Sequence, residues 1–165
     1  LFKTWCLKMT KQNFNIFFLI LSIFSIDRLT KYWIVNKLDS GIDISVTSFL
    51  SFNLVKNEGI AFGLFSFNQK IYYNSLTILI FIIVMVIFWM IIKSNGLEKI
   101  GFSLVFGGAV GNLFDRIFYS SVPDFIDIHF GNFHWFIFNV ADIFITLGVI
   151  ILIYSEILLK KKHEI

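Results

Sequence analysis

Between Tyr72 and Ile92 the chain runs for 21 residues without a charged side chain, and from Ile78 onward every one is apolar. As a helix rising 1.5 Å per residue, such a run is about 30 Å long, one hydrocarbon thickness of a bilayer. A soluble domain of 165 residues has too little interior to hide it, least of all when 57% of the whole chain is hydrophobic and only 15% charged. The segment therefore dictates a protein whose solvent is lipid, and the rest of the chain has to be compatible with that.

Three further runs are compatible. Residues 14–35 are apolar apart from a few polar positions and Asp27, Arg28 and Lys31; no small-x-small cleavage motif follows, so the run is expected to be an uncleaved first span, whether the chain starts at Leu1 or at Met9. Residues 100–118 form a span whose last turn carries Asp115 and Arg116. Residues 135–159 form another, in which about ten Ile, Leu, Val and Phe at roughly −0.5 kcal/mol each outweigh one aspartate at about +3 kcal/mol. Between the first and second spans the period changes: Ile42, Ile44 and Val46 alternate with polar residues, Phe52 and Leu54 repeat the alternation, and Asn57-Glu58-Gly59 has turn composition. The expected fold is mainly α and integral to the membrane, one domain over 1–165, with four transmembrane helices and a small extracytoplasmic β-structure over 42–65.

Lysines set the expected orientation. Lys3, Lys8, Lys11, Lys93, Lys99 and Lys160 to Lys162 fall on one side, against Lys37, Lys56 and Lys70 on the other. The positive-inside rule then puts both termini in the cytoplasm and the β region and the 119–134 loop outside. The formal charge of +3 comes from these segment ends and not from a basic, aromatic-interleaved patch, which argues against nucleic acid. A single cysteine, Cys6, excludes an intrachain disulfide and a cysteine metal cluster.

Against this background the stretch from Gly107 to Asp142 stands out, because it gathers Asp115, Asp124, Asp127, Asp142, Arg116, His129 and His134. Ionisable groups at membrane depth cost roughly 2.5–3.5 kcal/mol each on insertion scales and call for a partner or a function. Asp27 and Lys31, four apart, share a helix face and suit a structural ion pair. Asn57 and Gly59 suit a turn. Gly108, Asn112 and Asp115 fall on one side of the third span, where small residues admit a neighbouring helix, Asn112 can hydrogen-bond across the contact and Arg116 can neutralise a carboxylate. Asp124 follows Pro123 on a loop or short strand at the outer surface. Asp142 is expected about two turns into the fourth span, near Asn139 and roughly 10 Å below Trp135. If the loop dips, Asp124 and Asp142 meet, and two carboxylates in one site share a proton and can run acid–base hydrolysis. Two unrelated, separately satisfied aspartates fit the spacing equally well. Asp124, Asp127 and His129 offer a zinc-like set but lack the spacing of a helical zinc motif, so no metal and no other cofactor is expected.

The residues Asp27-Arg28-Leu29-Thr30-Lys31, Asn57-x-Gly59-x-Ala61-Phe62, Gly107-Gly108-x-x-Gly111-Asn112-x-x-Asp115-Arg116, Val122-Pro123-Asp124-Phe125-Ile126-Asp127 and Phe138-Asn139-x-Ala141-Asp142, in this order, resemble the motifs of the lipoprotein signal peptidases (signal peptidase II). The resemblance runs from about Phe14 to Leu159. It implies an aspartic endopeptidase of the bacterial inner membrane that removes the signal peptide of a prolipoprotein on the amino side of a diacylglyceryl-modified cysteine, acting as a monomer among membrane lipids with its active site near the extracytoplasmic face. By resemblance the catalytic pair is Asp124 and Asp142, while Asn57, Gly59, Gly108, Asn112, Arg116, Asn139 and Ala141 line the site or hold substrate, and Asp27, Lys31 and Asp115 support it. Pro123 departs from the β-branched residue common before the first aspartate, which bears on local loop geometry alone. The competing reading of the same aspartates is a small proton-coupled transporter, which should carry ionisable residues toward both membrane faces. The second span here carries none.

Overall fold

The structure is a computed structural model that describes residues 11–38, 43–59 and 69–163. Four long helices and four short strands follow one another as α1 (Lys11–Leu38), β1 (Ile44–Thr47), β2 (Leu50–Asn57), α2 (Gln69–Lys93), α3 (Gly96–Tyr119), β3 (Val122–Phe130), β4 (Phe133–His134) and α4 (Val140–His163). The protein is thus mainly helical with one small antiparallel sheet, ordered β1-β2-β3-β4. Residues 42 and 60–65 of the expected β region, including Ala61 and Phe62 of the second motif, lie outside the described residues.

Helices α1, α2 and α4 are long and apolar enough to cross a membrane. Their large side chains point outward: Phe17, Ile78, Ile82, Trp89, Ile150 and Ile153 are all about half exposed, the pattern of helices that meet lipid and keep every backbone hydrogen bond internal. Helix α3 differs for a positional reason. It packs against each of the other three helices, so its neighbours are protein, and its buried positions are Lys99, Gly101, Ser103, Gly107, Gly108, Gly111, Leu113 and Asp115. Glycines let the partners close in. A Cβ on Gly107 would lie 3.0 Å from Ile23 of α1, and one on Gly101 would lie 2.8 Å from Leu152 of α4. Overpacking of that kind costs about 1–3 kcal/mol. Helix α1 answers with a buried stripe, Ile16, Ile23, Asp27, Lys31, Ile34 and Leu38, at the three- and four-residue spacing of one helix face.

Three expectations about boundaries are corrected. The basic loop expected over 93–99 shrinks to Ser94 and Asn95, because α2 ends at Lys93 and α3 begins at Gly96. The 119–134 region is not a loop: β3 pairs with β2 along its length and turns back into β4 through Gly131 and Asn132, with Gly131 at φ 59°. A two-residue loop with glycine in the left-handed region suits the twist of a hairpin. The fourth helix begins at Val140, not at residue 135, because the preceding segment is extended and bonds to β3: Trp135 N–H donates to Ile128 O at 2.9 Å, and Ile126 and Phe138 exchange hydrogen bonds of 2.7 and 3.1 Å.

Sheet and helices meet over a small core of Ile34, Leu38 and Phe125, with Phe52, Leu54, Ile126 and Val140 against it. The C-terminal ends of α1 and α3 and the start of α4 thus meet at the sheet.

Candidate active site

Asp124 sits on β3 with its side chain buried to 5% exposure. One extra residue in β2 between Phe52 and Val55 shifts the register there, and beyond this bulge Val55 faces Asp124 and Asn57 faces Val122. Asn57 and Asp124 are therefore diagonal neighbours on one face of the sheet. Asn57 Nδ2 donates to Asp124 Oδ2 at 2.8 Å, while its Oδ1 accepts from Gly59 N–H at 2.7 Å. Gly59 closes that turn at φ 73°, a conformation glycine takes without a Cβ penalty. The other oxygen of Asp124 accepts from Asn139 Nδ2.

Asp142 lies in the first turn of α4, at the level where the sheet joins the helix rather than two turns deeper as expected. The late start of α4 is the reason. Its Oδ2 accepts from Asn139 N–H at 3.0 Å and its own N–H donates to Asn139 Oδ1 at 3.2 Å, a reciprocal capping box at the helix entrance. Asn112 Nδ2 of α3 donates to Asp142 Oδ1 at 2.9 Å. Asn139, fully buried, thus touches both aspartates. Burial pushes the Asp124 carboxyl above its ordinary 3.8; the Asn57 and Asn139 amides and Lys31 oppose this, and the Asp142 charge adds to it.

Behind the pair lies a cluster of four charges, of which Asp27, Lys31 and Asp115 are almost completely buried. Lys31 Nζ bonds Asp27 at 3.0 Å, Asp115 at 2.8 Å and Asn112 Oδ1 at 2.7 Å. The expected Asp27–Lys31 pair is present, and Asn112 links it to Asp142. Asp27 also accepts from Ala141 N–H of α4 at 3.2 Å, using one of the N–H groups that a helix start leaves unpaired. Gly108 and Gly111 make room for this: a Cβ on Gly108 would strike the Ala141 carbonyl, and one on Gly111 would stand 2.6 Å from Asp27 Oδ2.

Besides Lys31, Asp115 pairs with Arg28 and not with Arg116. Both terminal guanidinium nitrogens of Arg28, Nη1 and Nη2, donate to Asp115, and Nη2 also reaches Asp27 at 2.7 Å. The guanidinium carbon stands 5.1 Å from the Phe114 ring and 5.8 Å from that of Phe24, a cation–π arrangement. Helical spacing from Asp27 does not reveal this role, since adjacent helix positions do not face one another; the signal was the second cation needed to balance two buried carboxylates. Arg116 makes no ion pair among the described residues. Its Nε is buried without a partner, its backbone carbonyl accepts from Tyr73 OH at 3.0 Å, and its guanidinium lies near Gly59. A cavity of about 600 Å³ opens beside Arg28, Lys31 and Asp115, walled by Leu54, Phe114 and Pro123, with neither Asp124 nor Asp142 in its lining.

The zinc-like set weighed in the sequence, Asp124, Asp127 and His129, is split between two places. Asp124 turns toward the two asparagines, while Asp127 and His129 come together with His134. Asp127 accepts from Ser51 Oγ at 3.4 Å and lies 2.9 Å from His134 Nδ1.

The chain as a whole has counterparts among known proteins. Residues 19–158 match the family model of signal peptidase (SPase) II. The chain is 48% identical to a lipoprotein signal peptidase of Pelagibacter ubique (strain HTCC1062), over 93% of this chain and 96% of that one. It is 40% identical to that of Wigglesworthia glossinidia brevipalpis, over 89% and 94%. A solved structure of a bacterial membrane enzyme superposes with a TM-score of 0.74 at 31% identity, covering 90% of this chain and 89% of the other. The chain belongs to the signal peptidase II family.

Proposed function

We propose that Asp124 and Asp142 are the acid–base pair with which this signal peptidase II cleaves the signal peptide of a prolipoprotein, on the amino side of a diacylglyceryl-modified cysteine. The observation that carries the reading is Asn139, which bonds Asp124 through its side chain and Asp142 through its backbone and so holds two carboxylates at one sheet–helix junction. Asp142 accepts hydrogen bonds from two N–H donors at a helix N-terminus, where a negative charge is favoured. Asp124, whose carboxyl is pushed up by burial, is the protonated member. In the proposed reaction Asp142 takes a proton from water as the water oxygen bonds to the scissile carbonyl carbon. Asp124 gives its proton to the leaving amine nitrogen as the C–N bond breaks. Asn57, Gly59, Gly108, Asn112, Arg116, Asn139 and Ala141 shape the site; Asp27, Lys31 and Asp115, with Arg28, hold α1, α3 and the start of α4 in register.

In this reading α3 crosses the bilayer as well, in the middle of the bundle, which makes four spans of a single domain acting as a monomer. The lysine distribution supports placing both termini in the cytoplasm of a bacterial inner membrane, with the sheet and the aspartates at the extracytoplasmic face. Membership of a peptidase family removes the reason for reading the aspartates as a transporter's proton relay.

The test is purified enzyme with a diacylated lipopeptide. Asp124→Asn and Asp142→Asn should each abolish cleavage, and the double variant should be little worse than either, because groups acting as one unit are non-additive. Cleavage by Asp142→Asn at near the wild-type rate would sink the assignment.

A further inference from the structure

The β3–β4 hairpin places three metal-ligand side chains side by side, away from Asp124 and Asp142. Asp127 and His129 are two apart on β3 and so share one face of the strand. The Gly131-Asn132 turn sets His134 directly opposite His129; the two imidazoles stack with centroids 5.2 Å apart at 24°. One ligand atom from each of Asp127, His129 and His134 lies within 4.8 Å of the others.

We propose that Asp127, His129 and His134 form a binding site for a divalent transition-metal ion of the zinc class, separate from the catalytic centre. Two further observations point to a cation. Asp127 is only 2% exposed, yet among the described residues its buried Oδ1 has no hydrogen-bond partner, and neither has the buried Nδ1 of His129. Native folds give such atoms a partner in protein, ordered water or an ion, and two of them beside an imidazole on one hairpin suit an ion. The Asp127–His134 contact of 2.9 Å is somewhat shorter than the roughly 3.4 Å between neighbouring ligands of a tetrahedral ion with bonds of roughly 2.1 Å, so a small opening of the pair would admit one. Two imidazoles and one carboxylate select Zn²⁺, Co²⁺ or Cu²⁺ over Ca²⁺ and Mg²⁺, which take all-oxygen sets. The His134 side chain is 56% exposed, so it can close on an entering ion and leave the remaining position to water.

Bound metal would tie the tip of the hairpin to the sheet. Asp124 stands three residues from Asp127 on the same strand, and the segment that begins after His134 bonds to β3 before reaching Asn139. The ion therefore pins the strand that carries Asp124 and the lead into α4, without taking part in hydrolysis.

The test is metal binding by the full chain in detergent micelles, purified without a histidine tag, with Co²⁺ as the spectroscopic probe and Zn²⁺ as competitor. Wild type should take up one Co²⁺ with a visible d–d band that Zn²⁺ abolishes, and Zn²⁺ should raise its melting temperature. His134→Ala changes an exposed side chain and should fold normally; it and His129→Ala should each weaken binding by roughly tenfold or more and lose the thermal shift. Asp142→Asn should bind like wild type. If wild type takes up no Co²⁺, if the His129→Ala/His134→Ala double variant binds equally well, or if Asp142→Asn loses the ion, the site as proposed does not exist. The Asp127–His134 contact is then an ion pair alone.

Discussion

Asn139 and Asp142 cap one another: each donates its backbone N–H to the other's side chain, at 3.0 and 3.2 Å. The remaining amide nitrogen of Asn139 goes to Asp124. Helix capping and carboxylate positioning are thus one set of hydrogen bonds. Asn139→Ala should lose about 1 kcal/mol or more as a lost cap, and cleavage should fall about 10²-fold through misplacement of the pair. Thermal unfolding and initial rates measure the two; a variant as fast as wild type would show that Asp124 is positioned by other means.

The pH dependence follows from Asp124. Its folded carboxyl titrates above the ordinary 3.8, so the stability it contributes is fully present below about 3.8 and is lost as pH rises through the folded value. The melting temperature of wild type minus that of Asp124→Asn should therefore decrease as pH rises through that window. Cleavage should decline on the alkaline side of the same transition as the proton donor is lost. A temperature difference that grows with pH would contradict the burial of this carboxyl.

Removing Arg28 leaves two buried carboxylates with one cation. Arg28→Met should destabilise by about 3 kcal/mol, the usual cost of breaking a buried pair by deleting one partner. A double-mutant cycle with Asp115→Asn should recover part of the loss. Simple additivity in that cycle would mean that the Arg28–Asp115 contact carries no coupling.

Arg116 keeps a planar fork near Gly59 without a carboxylate partner among the described residues, and the site-lining role proposed for it can be tested. Lysine cannot reproduce the fork. Arg116→Lys should reduce cleavage about tenfold or more while the protein still accumulates in the membrane, whereas normal cleavage would return Arg116 to a packing role.

Much of this molecule was legible along the chain, because lipid makes secondary structure a local matter. A run such as Tyr72 to Ile92 has to satisfy its own backbone, and only a helix does so within one segment. The Asp27–Lys31 pair and the glycine face of α3 are likewise consequences of helical spacing. What sequence spacing left open depended on strand pairing and on contacts between distant segments. The apolar residues Trp135 to Phe138 continue the pattern of α4 and read as its first turns, yet β3 offers their backbone hydrogen bonds and draws them out of the helix. That moves Asp142 up to the sheet. Arg28 finds Asp115 across 87 residues, and His134 reaches Asp127 through a hairpin whose Gly-Asn turn forms only once β3 is paired with β2. Whether Asp124 and Asp142 belong together was open on spacing alone; the bulge in β2, the late start of α4 and Asn139 between them are features of the tertiary structure, since no local periodicity relates a strand residue to a helix cap.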